Sequence, residues 1–208
     1  DLAVVDHDDA GVLVPQRLLA ARDVDDRQAP VTERHAGLEM LAARVGSRLH
    51  VCHVSTAGSV DIVRDAKRKG WNVTAEACPH HLLLSDDLAA TYDPIYKVNP
   101  PLRSSADVEA LREGLADGTI DIVATDHAPH PHEDKDCEWA AAAMGMLGLE
   151  TAFNVAMATM IEPGLLSWRE LADRMSVRPA RIGRVPTQGH ELAVGAVAYQ
   201  RAAPPFGN

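Results

Sequence analysis

Residues 48–77 read RLHVCHVSTAGSVDIVRDAKRKGWNVTAEA, and their pattern decides the fold class. Arg48 to Val54 is a short apolar run bounded by Gly46 and by Ser55 and Thr56, which predicts a buried strand. From Ser59 to Lys69, Val60, Val63 and Ala66 recur at helical spacing. Gly70 stands just beyond, where helices commonly end. Asn72 to Ala77 predicts a second strand. Strand, helix, strand, without strict polar alternation, is the pattern of parallel strands joined by a crossover helix.

The same alternation continues outward. Ser104 to Asp117 predicts a helix with Val108, Leu111 and Leu115 inward and Gly118 closing it. Ile120 to Thr125 predicts a third strand, and Leu149 to Ile161 a long helix. Ser167 and Glu170 form a capping box for a further helix. Upstream, Thr32 caps a helix whose apolar face is Leu38, Leu41, Ala42 and Val45, with Gly46 as its stop. Residues 1–30 hold no long period. Val12 to Val14 reads as a short strand and Gln16 to Arg22 as a short helix. No short-period repeat is present.

Composition narrows the function classes. The 208 residues are 46% hydrophobic and 24% charged, which fits a globular chain and excludes collagen-like, coiled-coil and disordered classes. A net charge of −10 repels phosphate backbones, so no nucleic-acid partner is expected. The longest apolar stretch, Trp139 to Leu149, is too short to span a bilayer, and no basic, then apolar, leader opens the chain. No membrane partner is expected. Cys52, Cys78 and Cys137 are odd in number and lack CxxC spacing, which suits a reducing, cytoplasmic setting.

Each predicted strand ends in unusual polar residues. The first ends in His53, Ser55 and Thr56, the second in Glu76, His80 and His81, the third in Asp126, His127 and His130. In parallel α/β proteins, functional groups gather at the carboxyl ends of strands. His50 and His53 are three apart, so on one strand they point to opposite faces. His53 is then the inward ligand, His50 packs under a helix, and Cys52 on the His50 side is a core thiol. Asp126 follows the apolar Ile120, Ile122, Val123 and Ala124, where a carboxylate is costly without a partner. A divalent metal ion is the natural partner, with a neutral His53 nitrogen beside it. Imidazole and carboxylate suit zinc, among other divalent ions. Trp71, Trp139 and Trp168 read as packing aromatics, and His132 and His190 as surface residues.

These residues also carry a resemblance. HVCHVST (50–56), CPHHLLL (78–84), KVNPPLR (97–103), ATDHAPH (124–130) and MGMLGLET (144–151) resemble dihydroorotases of the bacterial type I branch of the amidohydrolase superfamily. The resemblance runs from about Pro30 to Val197, and NPPLR followed at this distance by ATDHAPH is its most specific part. It implies an α/β fold, a (β/α)₈ barrel of which this chain holds about the last three βα units. It implies Zn²⁺, one or two ions in the family, and reversible conversion of N-carbamoyl-L-aspartate, a small-molecule substrate, to L-dihydroorotate in pyrimidine biosynthesis. By this resemblance His53 and Asp126 are metal ligands and Asp126 is the catalytic acid and base. Asn99, His130, Met144 and Gly145 contact substrate. His80 and His81 take no assigned role. The segment His127 to Glu138 reads equally as a lid or as a solvated connection.

The chain also departs from the family. The HxH pair, the bridging acidic or carbamylated ligand, a further upstream His and the Arg that follows HxH find no place here; His7 lies in VDHDD, which does not match. The 208 residues fall short of the roughly 250 of a full barrel. The expected organisation is an unassigned segment (1–30), a partial amidohydrolase barrel (31–190) and a lead into a small β-domain (191–208). Ala198 to Asn208 does not continue that lead, and a shifted reading frame at each end is one account of the abrupt change. The isolated chain is expected to be inactive, because three protein ligands are usual for catalytic zinc. Two alternatives stand beside this reading. One is a hydantoinase or allantoinase. The other is a non-catalytic partner of aspartate carbamoyltransferase; a homodimer is also an expected association.

Overall fold

The computed structural model describes residues 2–5, 37, 40 and 42–185. Within them the sheet has four parallel strands in the order β1-β2-β3-β4: β1 (Leu2–Val5), β2 (Arg48–Val51), β3 (Val73–Ala77) and β4 (Ile122–Val123). His50 stands in register with Thr74, and Ala77 with Val123. The strand β1 pairs with β2 where the sequence predicts no element. Thr32, Leu38 and Leu41 of the predicted upstream helix, Val12 to Val14, Gln16 to Arg22, His7, His190 and residues 191–208 lie outside the described residues.

Two crossover helices follow the sequence closely. Helix α1 (Ala57–Arg68) is capped by Thr56, whose hydroxyl accepts the Ser59 N–H at 3.2 Å. It buries Val60, Val63 and Ala66 as predicted. A proline and two histidines then start the short α2 (Pro79–Leu83), and α3 (Asp86–Ala89) follows. Helix α4 (Ser105–Asp117) is capped by Ser104 and closed by Gly118 at φ 85°. Its Leu111 and Leu115 join Val60, Val63 and Ile120 in one core with the sheet. Apolar side chains of this size each stabilise by roughly 1.5–3 kcal/mol when fully buried.

Asp121 ties the layers at the amino end of β4. One of its oxygens accepts Lys67 Nζ at 2.6 Å and the Ala75 N–H at 2.9 Å. The later elements are α5 (His132–Lys135), α6 (Ala152–Ala156), α7 (Trp168–Ala172) and α8 (Arg178–Ile182). Wider π-type turns, Met157–Ile161 and Asp173–Val177, extend α6 and join α7 to α8. The predicted capping box is present, with the Ser167 hydroxyl accepting the Glu170 N–H and Glu170 accepting the Ser167 N–H.

Three predicted elements come out shorter. The first strand stops at Val51 and the third at Val123, because His53 and Asp126 turn the chain at φ 52° and φ 46°. Such left-handed values are incompatible with a strand but accessible to His and Asp. The helix expected from Leu149 begins at Ala152, and the N–H groups of Gly148 and Leu149 ahead of it are donated to His127 Nδ1.

Candidate metal centre

The three strand ends converge as the sequence predicts. His53 lies two residues past β2, Cys78 directly follows β3, and Asp126 lies three past β4. His53 Nε2 stands 3.7 Å from Asp126 Oδ1, and both side chains are partly buried. That is long for a hydrogen bond. Two ligands at about 2.0–2.2 Å from one tetrahedral ion stand about 3.4 Å apart. The donor set therefore fits a divalent ion held between His53 and Asp126. Donor atoms of His53, Cys78 and Asp126 all lie within 4.8 Å of one another.

The other face of His53 meets Glu76. His53 Nδ1 is 3.0 Å from Glu76 Oε1, and His50 Nε2 is 3.0 Å from Glu76 Oε2. The two histidines therefore approach one carboxylate, and the expected separation onto opposite faces does not hold. That expectation required an unbroken strand from His50 to His53, and the left-handed turn at His53 removes it. His50 is buried as expected, with its Nδ1 2.8 Å from the Thr74 hydroxyl. Cys52 is on the His50 side but half-buried, within 4.8 Å of the His50 and Glu76 donors.

Burial alone would raise the Glu76 pKa, but hydrogen bonds from His50 and then His53 outweigh it and hold the carboxyl at about 2. It is a permanent anion at the base of the site. His80, buried at 7% exposure, is pushed down to about 3, chiefly by burial and then by His81 and His53. It is a neutral imidazole. Its Nε2 has no hydrogen-bond partner among the described residues, while His81 Nε2–H donates to Pro100 O at 3.0 Å.

The residues predicted to contact substrate fall into two groups. Asn99 is half-buried and joined to Pro100 by a cis peptide bond. His130, Met144 and Gly145 form one unit: exposed His130 donates Nε2–H to Met144 O at 2.8 Å. The Ala128 N–H donates to Met146 O at 3.0 Å, and His127 Nδ1 accepts the Gly148 and Leu149 N–H groups. So ATDHAPH and MGMLGLET are laced together backbone to side chain. Close approach requires glycine twice here. A Cβ at Gly148 would stand 2.6 Å from Thr125 O, and one at Gly145, φ 147°, would stand 2.8 Å from Ala128 O.

The segment between the two motifs is anchored. Buried Lys97 donates Nζ to the carbonyls of Trp139, Ala140 and Ala142, at 2.7, 3.2 and 2.6 Å. Lys135 donates to Pro94, Lys97 and Ala143 carbonyls. Sequence reasoning gave no role to Lys97, Lys135, Cys78 or Glu76. For Glu76 a signal was available: a carboxylate inside an apolar strand, two residues from Thr74 and so on its face.

Comparison with known proteins identifies the relatives of this arrangement. No family model matches the chain. Over 156 residues it is 67% identical to a protein of Streptomyces coelicolor named dihydroorotase, an overlap of 75% of this chain and 36% of that one. Relatives from Streptomyces coelicolor, Leifsonia xyli and Mycobacterium tuberculosis are each named dihydroorotase. A dihydroorotase of Leifsonia xyli is 63% identical over 159 residues, 76% of this chain and 36% of its own length. The chain thus spans 36% of the length of these dihydroorotases. Among solved structures, the L-hydantoinase (dihydropyrimidinase) of Arthrobacter aurescens matches with a TM-score of 0.73 and 35% identity, over 80% of this chain and 38% of that one. No helix among the described residues is long and apolar enough to cross a membrane.

Proposed function

We propose that this stretch supplies part of the metal site and the catalytic carboxylate of a dihydroorotase, interconverting N-carbamoyl-L-aspartate and L-dihydroorotate. The observation that carries the reading is the convergence of His53 Nε2 and Asp126 Oδ1 at the carboxyl edge of a parallel sheet. The 67% identity to a dihydroorotase supports that substrate over hydantoin or allantoin. In this reading β2, β3 and β4 are an arc of a (β/α)₈ barrel within residues 31–190, and the protein works in the cytoplasm. Residues 1–30 are left unassigned, with Leu2–Val5 paired to β2, and 191–208 lead toward a small β-domain.

His53 and Asp126 would hold the ion, taken to be zinc. Bound there, zinc supplies Lewis-acid polarisation of a carbonyl and acidifies water. Asp126 accepts the proton of the attacking water and delivers it to the departing ring nitrogen. In the synthetic direction the same carboxylate takes a proton from the ureido nitrogen. Asn99 and His130 orient the substrate, whose carboxylate His130 faces. Its Nε2–H is donated to Met144 O, which leaves the Nδ1 edge to meet the substrate. Met144 and Gly145 line the pocket through their backbone.

The test is a full-length protein carrying this stretch, offered dihydroorotate, hydantoin and allantoin in parallel. Preference for dihydroorotate, lost by a factor of at least about 10³ in Asp126→Asn, is the expected result; a general acid–base contributes about 10²–10⁴. Faster turnover of hydantoin or allantoin would overturn the substrate assignment. Full activity in Asp126→Asn would overturn the mechanism. Copurification with an aspartate carbamoyltransferase would extend the reading to an assembly.

A further inference from the structure

The carboxylate beneath the site has its own geometry. Glu76 lies in β3, whose Val73, Ala75 and Ala77 are buried apolar residues. A carboxylate in that setting is costly unless its oxygens are matched. They are matched from two directions, by His53 Nδ1 and by His50 Nε2, each at 3.0 Å. A carboxylate met by two ring nitrogens, one on each oxygen, accepts from both. Both facing nitrogens must therefore carry hydrogen.

We propose that Glu76 is the positioning residue of the metal centre. It holds His53 in the tautomer with hydrogen on Nδ1, so that Nε2 turns its lone pair to the place beside Asp126. His50 and Thr74 hold Glu76 in turn. The inference rests on the metal reading above and adds to it residues that touch neither metal nor substrate.

Three features support it. First, the tautomer follows from bond polarity: a neutral imidazole with hydrogen on Nδ1 has its only lone pair on Nε2, the atom 3.7 Å from Asp126. Cys78 Sγ, 3.3 Å from the same Nδ1, is a second, weaker acceptor for that hydrogen. Second, rotation of Glu76 away from His53 breaks its bond to His50 as well. Third, the outer end is fixed by strand register. His50 and Thr74 are paired residues of β2 and β3, and the Thr74 hydroxyl stands 2.8 Å from His50 Nδ1. The same hydroxyl donates to Leu49 O at 3.3 Å, which ties it to β2. Carboxylates placed behind metal-binding histidines fix ring orientation and raise ligand basicity, and their loss typically costs 10–100-fold in metal affinity.

The experiment has two readouts on the whole 208-residue chain. The first is a long-range ¹H–¹⁵N correlation spectrum of the metal-free, histidine-labelled chain. It should show His53 with hydrogen on Nδ1 in the wild type and a mixture of tautomers in Glu76→Leu. The second is Co²⁺ affinity from absorption titration. It should fall about 10–100-fold in Glu76→Leu and less in Glu76→Gln, which keeps an acceptor without the charge. A wild-type His53 with hydrogen on Nε2 overturns the proposal without any variant. So does a folded Glu76→Leu chain with undiminished Co²⁺ affinity. A wild type that takes up no Co²⁺ yet shows the Nδ1–H tautomer upholds the hold of Glu76 on His53 and removes its link to a metal in this chain.

Discussion

At the residue scale, the site depends on atoms that leave no room for substitution. Gly148 is the sharpest instance outside the ligands. A methyl there would meet Thr125 O at 2.6 Å, one residue before Asp126. Overpacking of this kind typically costs 1–3 kcal/mol, and here the strain falls on the residue next to Asp126. Gly148→Ala is expected to lower stability by about 2 kcal/mol in chemical denaturation and to move the amide resonances of residues 125–128. An unchanged midpoint would show that 148 sits farther from the Thr125 carbonyl than the structure has it. His53 and Asp126 were legible in the sequence because each is a polar group at the end of an apolar run. Glu76 was legible as a polar strand end too, but its pairing with His50 and His53 was not, because lateral register is a non-local property.

Among the elements, α1 and α4 are joined at their amino ends by one side chain. Asp107 accepts the Ser104 hydroxyl at 2.6 Å within its own cap and the Ala57 N–H of α1 at 2.8 Å. Burial works to raise its pKa, but the Ser104 hydroxyl, then the Ala57 N–H and the nearby Arg103, outweigh it and hold the carboxyl below its ordinary value. A depressed carboxyl contributes stability that is present in full above its unfolded pKa and is lost as pH falls through its folded pKa. Asp107→Asn is therefore expected to cost about 1 kcal/mol at neutral pH. The gap between variant and wild type should close in acid. Urea titrations at pH 7 and in the acid range check both statements; a gap that widens in acid would contradict the sign. These helices were readable from the sequence through their spacing and caps. The strand ends were not, since nothing in a local apolar run marks where a histidine or aspartate will reverse φ.

For the whole molecule, the described sheet has β1 and β4 at its edges, and large apolar side chains are exposed along 144–168: Met144, Leu147, Leu149, Phe153 and Trp168. Phe153 and Trp168 stack on each other at 6.1 Å. Open parallel edges and exposed apolar surface favour association. The 208-residue chain alone is expected to sediment as concentration-dependent oligomers. It should bind zinc substoichiometrically with little turnover, because His53 and Asp126 give an ion fewer than the usual three protein ligands. A monodisperse monomer with stoichiometric zinc and dihydroorotate turnover would refute this. Of the architecture, alternation of strand and helix was legible from residue 48 onward. The lacing of 127–130 to 144–149 was not, since each contact has a backbone group on at least one side, and every sequence has those.

The left-handed backbone at His53 and Asp126 carries a consequence for how such a site can change over time. Only a few side chains tolerate φ near +50° readily: glycine, asparagine, aspartate and histidine. Of these, aspartate and histidine are also the good donors for a hard or borderline divalent ion. The main chain thus acts as a filter on chemistry before any metal arrives. Drift toward a glutamate or cysteine ligand meets a conformational barrier as well as a change of reach, so the identity of the ion is guarded by the two turns as much as by the atoms they carry.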